Sequence, residues 1–220
     1  MKSEIIMLRH GITEGNKNKW FYGALDLHLL PEGKETLRKH KEEGWYPELP
    51  DNTKYFTTGL VRTKESLEIL FGEQDYEEIP DLQEMAFGEY EARTFDEMKD
   101  DPIFRNWTHD ETGEVGFPGG ETKNEFAFRV RRGLGTLIEK HSEHEEEARA
   151  QGKDAVTVLI CHGGVIAGLM HDIFPGERET MWDWMVDPGS GYIIELKDGK
   201  PCAHCQIGDK ELYYGEKIKG

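Results

Sequence analysis

The sequence predicts an α/β sandwich built on a mostly parallel sheet. Two observations carry this. Short, continuous apolar runs rich in β-branched residues, "EIIML" at 4–8 and "AVTVLIC" at 155–161, suit strands buried on both faces. Between such runs lie long charged stretches with helical spacing, so strands and helices alternate along the chain. At 220 residues, 36% hydrophobic and 32% charged, the chain can bury a real core beneath a heavily charged surface.

The first strand, 4–8, runs straight into Arg9, His10 and Gly11. Residues 32–43 read as a helix, "TKYFTT" at 53–58 as a strand, and 59–71 as a second helix rich in strong helix formers. From about 94 to 120 the chain, including "DDPIFRNWTHDETGEVGFPGG", is rich in Asp, Gly and Pro and reads as a lid or binding loop outside the core. A long helix follows over roughly 121–150, and its "EKHSEHEEEARAQGK" end reads as solvated. The strand 155–161 delivers His162, Gly163 and Gly164, and "GYIIEL" with "PCAHCQI" forms a hairpin closed by the Asp-Gly of "KDGK". No repeat or linker divides the chain, so residues 1–220 are expected to form one domain with the 94–120 segment as an insert.

There are 27 Lys and Arg against 44 Asp and Glu, a net charge of −17, which argues against nucleic acid or an anionic membrane as partner. No apolar run has the length of a membrane span, and the apolar stretch of "MKSEIIMLRHG" is too short for a signal-peptide core, so the cytoplasm is the expected location. Three cysteines, Cys161, Cys202 and Cys205, make no disulfide framework. On a strand, Cys202 and Cys205 point to opposite faces, which favours a structural role over a shared metal ion. His141 and His144 of "HSEH" share a helix face, where a solvated charged surface is favoured over a metal site.

Against this acidic background a cationic cluster stands out. Ligands of open α/β sheets bind beyond the carboxyl ends of the strands. Three such ends deliver Arg9 with His10, Arg62 about one turn into a helix, and His162. Phosphate is the simplest ligand for this set, since arginine forks match its oxygens and helix N-termini add to the field. The glycines after each histidine are expected to let backbone approach the anion.

"LRHGITEGN" resembles the RHG motif of the histidine phosphatase superfamily, the phosphoglycerate mutase-like proteins. The likeness continues in order through "YGALDLHLLPEG", "TTGLVRTKES", "LQEMAFGEYEA", "FPGGET" and "CHGGVI", over nearly the whole chain. It implies a three-layer α/β/α sandwich, His10 as the nucleophile of a phosphohistidine, and Arg9, Arg62 and His162 as holders of the phosphoryl group. It further implies Glu84 as proton donor, Asn16, Gly23 and Gly163 as substrate contacts, and catalysis with no metal and no cofactor. Gly15 stands where relatives often carry a bulky side chain.

The chemistry agrees with those roles. Phosphoryl transfer needs positioning and charge neutralisation, which two arginines and a second histidine supply. An imidazole attacks as the neutral base, with its other N–H held by an acceptor. An alcohol leaves poorly and needs a carboxylic acid. Arg93 and Arg105 read as solvated surface. The aromatic residues of "WFYG" (20–23), with Phe87, Trp107 and Phe117, are expected to flank a substrate whose non-phosphate part is partly apolar, unlike a densely charged sugar bisphosphate. The expected activity is that of a histidine acid-type phosphomonoesterase acting on a small phosphorylated metabolite. A cofactor-dependent phosphoglycerate mutase is the runner-up, disfavoured by the acidic, aromatic stretch after Glu84, and a catalytically quiet phospho-ligand sensor comes third. The substrate, self-assembly and the role of Cys202 and Cys205 lie beyond the sequence.

Overall fold

A computed structural model describes residues 1–208. In chain order it contains β1 (Ser3–Arg9), α1 (Glu14–Lys17), β2 (Trp20–Phe21), α2 (Pro31–Glu42), β3 (Lys54–Thr57), α3 (Val61–Phe71), β4 (Tyr76–Glu78) and β5 (Arg93–Thr94). Then come α4 (Phe95–Met98), α5 (Pro102–Thr108), α6 (Lys123–Ala150), β6 (Ala155–Cys161), α7 (Gly163–Ile173), β7 (Gly191–Lys197) and β8 (Lys200–Ile207). Six strands form one sheet in the order β4-β3-β6-β1-β7-β8, while β2 and β5 pair as a separate small ribbon.

The strands β4, β3, β6 and β1 run parallel, and the β7–β8 hairpin adds an antiparallel edge. Ser3 lies opposite Ala155 and Arg9 opposite Cys161, so β1 and β6 end level with each other. That register puts His10 and His162 side by side where the two central strands end. Successive strand residues face opposite ways. Ile5 and Met7 therefore join Leu137, Val165 and Ile166 of α6 and α7, whereas Ile6 and Leu8 join Leu37 and Leu67 of α2 and α3. The two apolar layers confirm the expected sandwich, and burying each such side chain contributes roughly 1.5–3 kcal/mol relative to exposure.

Two expectations need correction. The 94–120 segment is not outside the core: Met98, Phe104 and Phe117 are buried together with Tyr90 in a third apolar cluster. Thr94 builds a capping box on α4, and Asp101 caps α5 with Pro102 in its first turn. Local capping thus makes structure from a composition that looks irregular. The "HSEH" face of α6 is likewise not solvated, since His141 and His144 are both buried. His141 Nε2 meets Ser3 Oγ at 2.9 Å and its Nδ1 meets Thr157 Oγ1 at 2.8 Å, joining α6 to the sheet. The edge strand β4 was not expected, because its residues are all exposed and carry no apolar alternation. Cys202, which the β7–β8 pairing skips at a shift of register, is exposed, and Cys205 is half-buried against the second apolar layer. No helix among the described residues is long and apolar enough to cross a membrane.

Candidate active site

Above the ends of β1 and β6 lies a cavity of about 410 Å³. Arg9, His10, Asn16, Arg62, Glu84 and Gly163 all line it. The His162 ring stands edge-on behind His10, with centroids 5.3 Å apart. Gly23 is not among the lining residues. Its N–H donates to Glu91 and its carbonyl accepts from Arg62, so both backbone groups are engaged within the protein.

His10 Nδ1 lies 2.7 Å from the Gly11 carbonyl. A carbonyl only accepts, so Nδ1 carries the proton and Nε2 keeps its lone pair. Burial, first, and then the charges of Arg62 and Arg9 push the His10 pKa well below 6.5, against the opposing pull of the Gly11 hydrogen bond. The ring is therefore a neutral base throughout the physiological range. Burial and the Arg62 charge act in the same direction on His162, whose Nε2 meets Thr58 Oγ1 at 2.9 Å.

The two arginines are held by backbone oxygens. Arg9 donates to the Val186 carbonyl at 2.7 Å. Arg62, fully buried, donates to the carbonyls of Leu25 and Gly23, both at 2.8 Å. This leaves Arg9 Nε, Arg62 Nε and His162 Nδ1 buried without a hydrogen-bond partner among the described residues. The two Nε–H groups are donors, and buried donors in this state favour an anion.

Glu84 accepts the Gly164 N–H on Oε2 at 2.8 Å and the Met85 N–H on Oε1 at 3.1 Å. A Cβ at Gly164 would stand 2.6 Å from Glu84 Oε1, so the missing side chain makes room for the carboxylate. Gly11 packs on Leu37 and Leu29 of the α2 face instead of approaching the pocket. Gly163 and Gly164 line the cavity, and the missing side chain of Gly163 also leaves room for Arg9. Gly15 does the same for the Tyr22 ring, over which the Arg62 guanidinium lies 5.1 Å from the centroid. The Asn16 carbonyl oxygen accepts from Thr13 and Tyr22, so its amide NH2 is the end able to donate to a ligand.

Two bracing residues were not found from the sequence. Glu91 accepts the N–H groups of Gly23, Ala24, Leu25 and Phe87, and so fixes the loop whose carbonyls hold Arg62. Arg129 donates to the carbonyls of Asp81, Gln83 and Glu84 and forks onto Glu121, fixing the backbone that carries Glu84. Neither had a distinguishing signal, since each lies among several like charges in the chain. Burial opposes it, yet the Arg129 fork holds the Glu121 carboxyl below its ordinary value. Arg93 lies over the Tyr90 ring and Arg105 pairs with Asp100, both away from the cavity lining. Phe117 belongs to the third core cluster, while Trp20, Phe21, Phe87 and Trp107 reach the cavity. No group of three or more metal-ligating side chains comes together among the described residues.

Comparison with known proteins bears on this arrangement. The sequence profile of the histidine phosphatase superfamily (branch 1) matches residues 5–206. Over 173 residues the chain is 26% identical to sedoheptulose 1,7-bisphosphatase of Saccharomyces cerevisiae; the match takes in 72% of this chain and only 62% of the yeast protein. Among solved structures, the alpha-ribazole phosphatase of Shigella flexneri superposes with a TM-score of 0.72 at 22% identity, covering 90% of this chain and 93% of that one. A phosphoglycerate mutase of Thermus thermophilus gives a TM-score of 0.60 at 26% identity, covering 91% and 97%. Phosphatases and mutases thus share the fold, and with the profile spanning nearly its whole length, this chain belongs to the histidine phosphatase superfamily, branch 1.

Proposed function

We propose that the protein is a phosphomonoesterase working through a phosphohistidine on His10. The observation that carries this reading is the Nδ1 contact with the Gly11 carbonyl, which leaves Nε2 as a neutral nucleophile beside the buried Arg62 and half-buried Arg9 guanidinium groups. Arg9, Arg62 and His162 hold the phosphoryl oxygens and neutralise charge as it spreads over them in the transition state. His10 Nε2 forms a bond to phosphorus while the ester P–O bond breaks, and Glu84 gives its proton to the departing alcohol oxygen. Water then attacks phosphorus, Glu84 takes a proton from it, and the P–N bond breaks to release phosphate and neutral His10.

Alternative donors are poorly supported. Glu91 is saturated by four backbone N–H groups, Glu121 is forked to Arg129, and Glu89 is exposed. An acid in this position also favours an enzyme over a sensor, since binding alone does not require one.

The reading is tested by comparing phosphate release from p-nitrophenyl phosphate with interconversion of 3- and 2-phosphoglycerate. Phosphate release is expected to dominate by a wide margin. Efficient interconversion with negligible release would make the protein a mutase.

A further inference from the structure

We propose that the cavity selects phosphomonoesters whose alcohol carries an aromatic ring and no second phosphate, with Trp182 as a specificity-determining residue; this rests on the phosphatase reading above. Beyond the phosphate-holding groups the cavity changes character. Half of the residues lining it are aromatic or methionine. Phe21, Phe87 and Trp107 make one wall, with ring centroids 5.4–6.3 Å apart in edge-to-face contacts. Such a wall offers a bound ring both burial and favourable quadrupole contacts.

On the rim lies the 3-10 turn Met181–Trp184. Trp184 anchors it, fully buried, with the Arg178 guanidinium 4.2 Å from its ring centroid. Two residues away Trp182 is 64% exposed and lines the cavity. A large aromatic side chain left in water at the edge of an apolar pocket marks a surface that a ligand covers.

The cations suited to a second anionic group are sparse. Among the described residues, only Lys19 and Lys123 join Arg9 and Arg62 as cations lining the cavity. The Lys123 ammonium is taken by the carbonyls of Trp107 at 2.8 Å and Asp110 at 2.9 Å, and it stands over the Trp107 ring. Lys19 is exposed, and one solvent-facing lysine holds a phosphate weakly. The hydroxyls of a sugar would meet rings and thioethers, which leave polar groups unpaired.

The test compares kcat/KM for 2-phenylethyl phosphate, glycerol 3-phosphate and fructose 1,6-bisphosphate on purified protein, wild type and Trp182→Ala. Burial of one ring predicts that 2-phenylethyl phosphate is preferred about tenfold or more over the other two. In Trp182→Ala that preference is expected to narrow several-fold, and Trp182→Phe is expected to restore most of it. Preference for either polar ester, or an unchanged ratio in Trp182→Ala, overturns the inference. Trapping of labelled phosphate on His10 in the same preparation separates this failure from that of the phosphatase reading, which would show no label and no turnover on any ester.

Discussion

Glu84 touches the cavity beside His10 through a carboxylate held by two backbone N–H groups, which fixes its direction without a cationic partner side chain. If it protonates the leaving oxygen, the need for it scales with how basic that oxygen is. A general acid contributes roughly 10²–10⁴-fold. Glu84→Gln is expected to lose most of that factor on alkyl phosphates and little on p-nitrophenyl phosphate, whose phenolate leaves almost unaided. Equal losses on both, with His10 phosphorylation limiting turnover, would make Glu84 structural. Glu91 acts one layer back. Glu91→Gln places an amide donor against backbone donors, freeing the 23–25 loop and with it the two carbonyls that hold Arg62. Losing those hydrogen bonds is expected to cost about 1–3 kcal/mol of stability and to raise KM about tenfold. A lower urea midpoint with unchanged KM would confine Glu91 to holding the fold.

Among the elements, α6 differs most from its sequence-level appearance. Its charged surface hides a buried pair, and desolvation by burial, with the neighbouring His144, lowers the His141 pKa from 6.5 to about 4. The unfolded chain binds this proton more readily than the native one. Stability from the neutral ring is therefore complete above about pH 6.5 and is lost as pH falls toward 4. The loss is expected to be on the order of 2–3 kcal/mol. Urea midpoints between pH 7.5 and 4.5 should fall more steeply for wild type than for His141→Gln. Identical slopes would show that the pair does not couple folding to pH. Such burial escapes a sequence reading because His141 and His144 sit near several glutamates, and only folding covers them, with Thr157 and Ser3 meeting the His141 ring. The 94–120 segment misleads in the same way: its turn-forming residues are evident, but the stacking of Phe117 on Phe104 and on Tyr90 is a tertiary fact.

Across the whole molecule, legibility follows burial and charge contrast. The strands β1 and β6 are plain in the sequence because both faces are covered, so residues 5–8 of β1 and all of β6 are apolar or β-branched. The strand β4 is hidden because neither face is covered. Arg9, His10, Arg62 and His162 stand out as cations at strand ends in a chain of net charge −17. Arg129 and Glu91 do not, since their importance comes from the partners that folding brings to them. The most direct test of the account uses a labelled phosphomonoester quenched during turnover. It predicts label on His10 that is stable in alkali and lost in acid, and absent in His10→Ala. Label on a serine or aspartate, or steady turnover by His10→Ala at the wild-type rate, would contradict it.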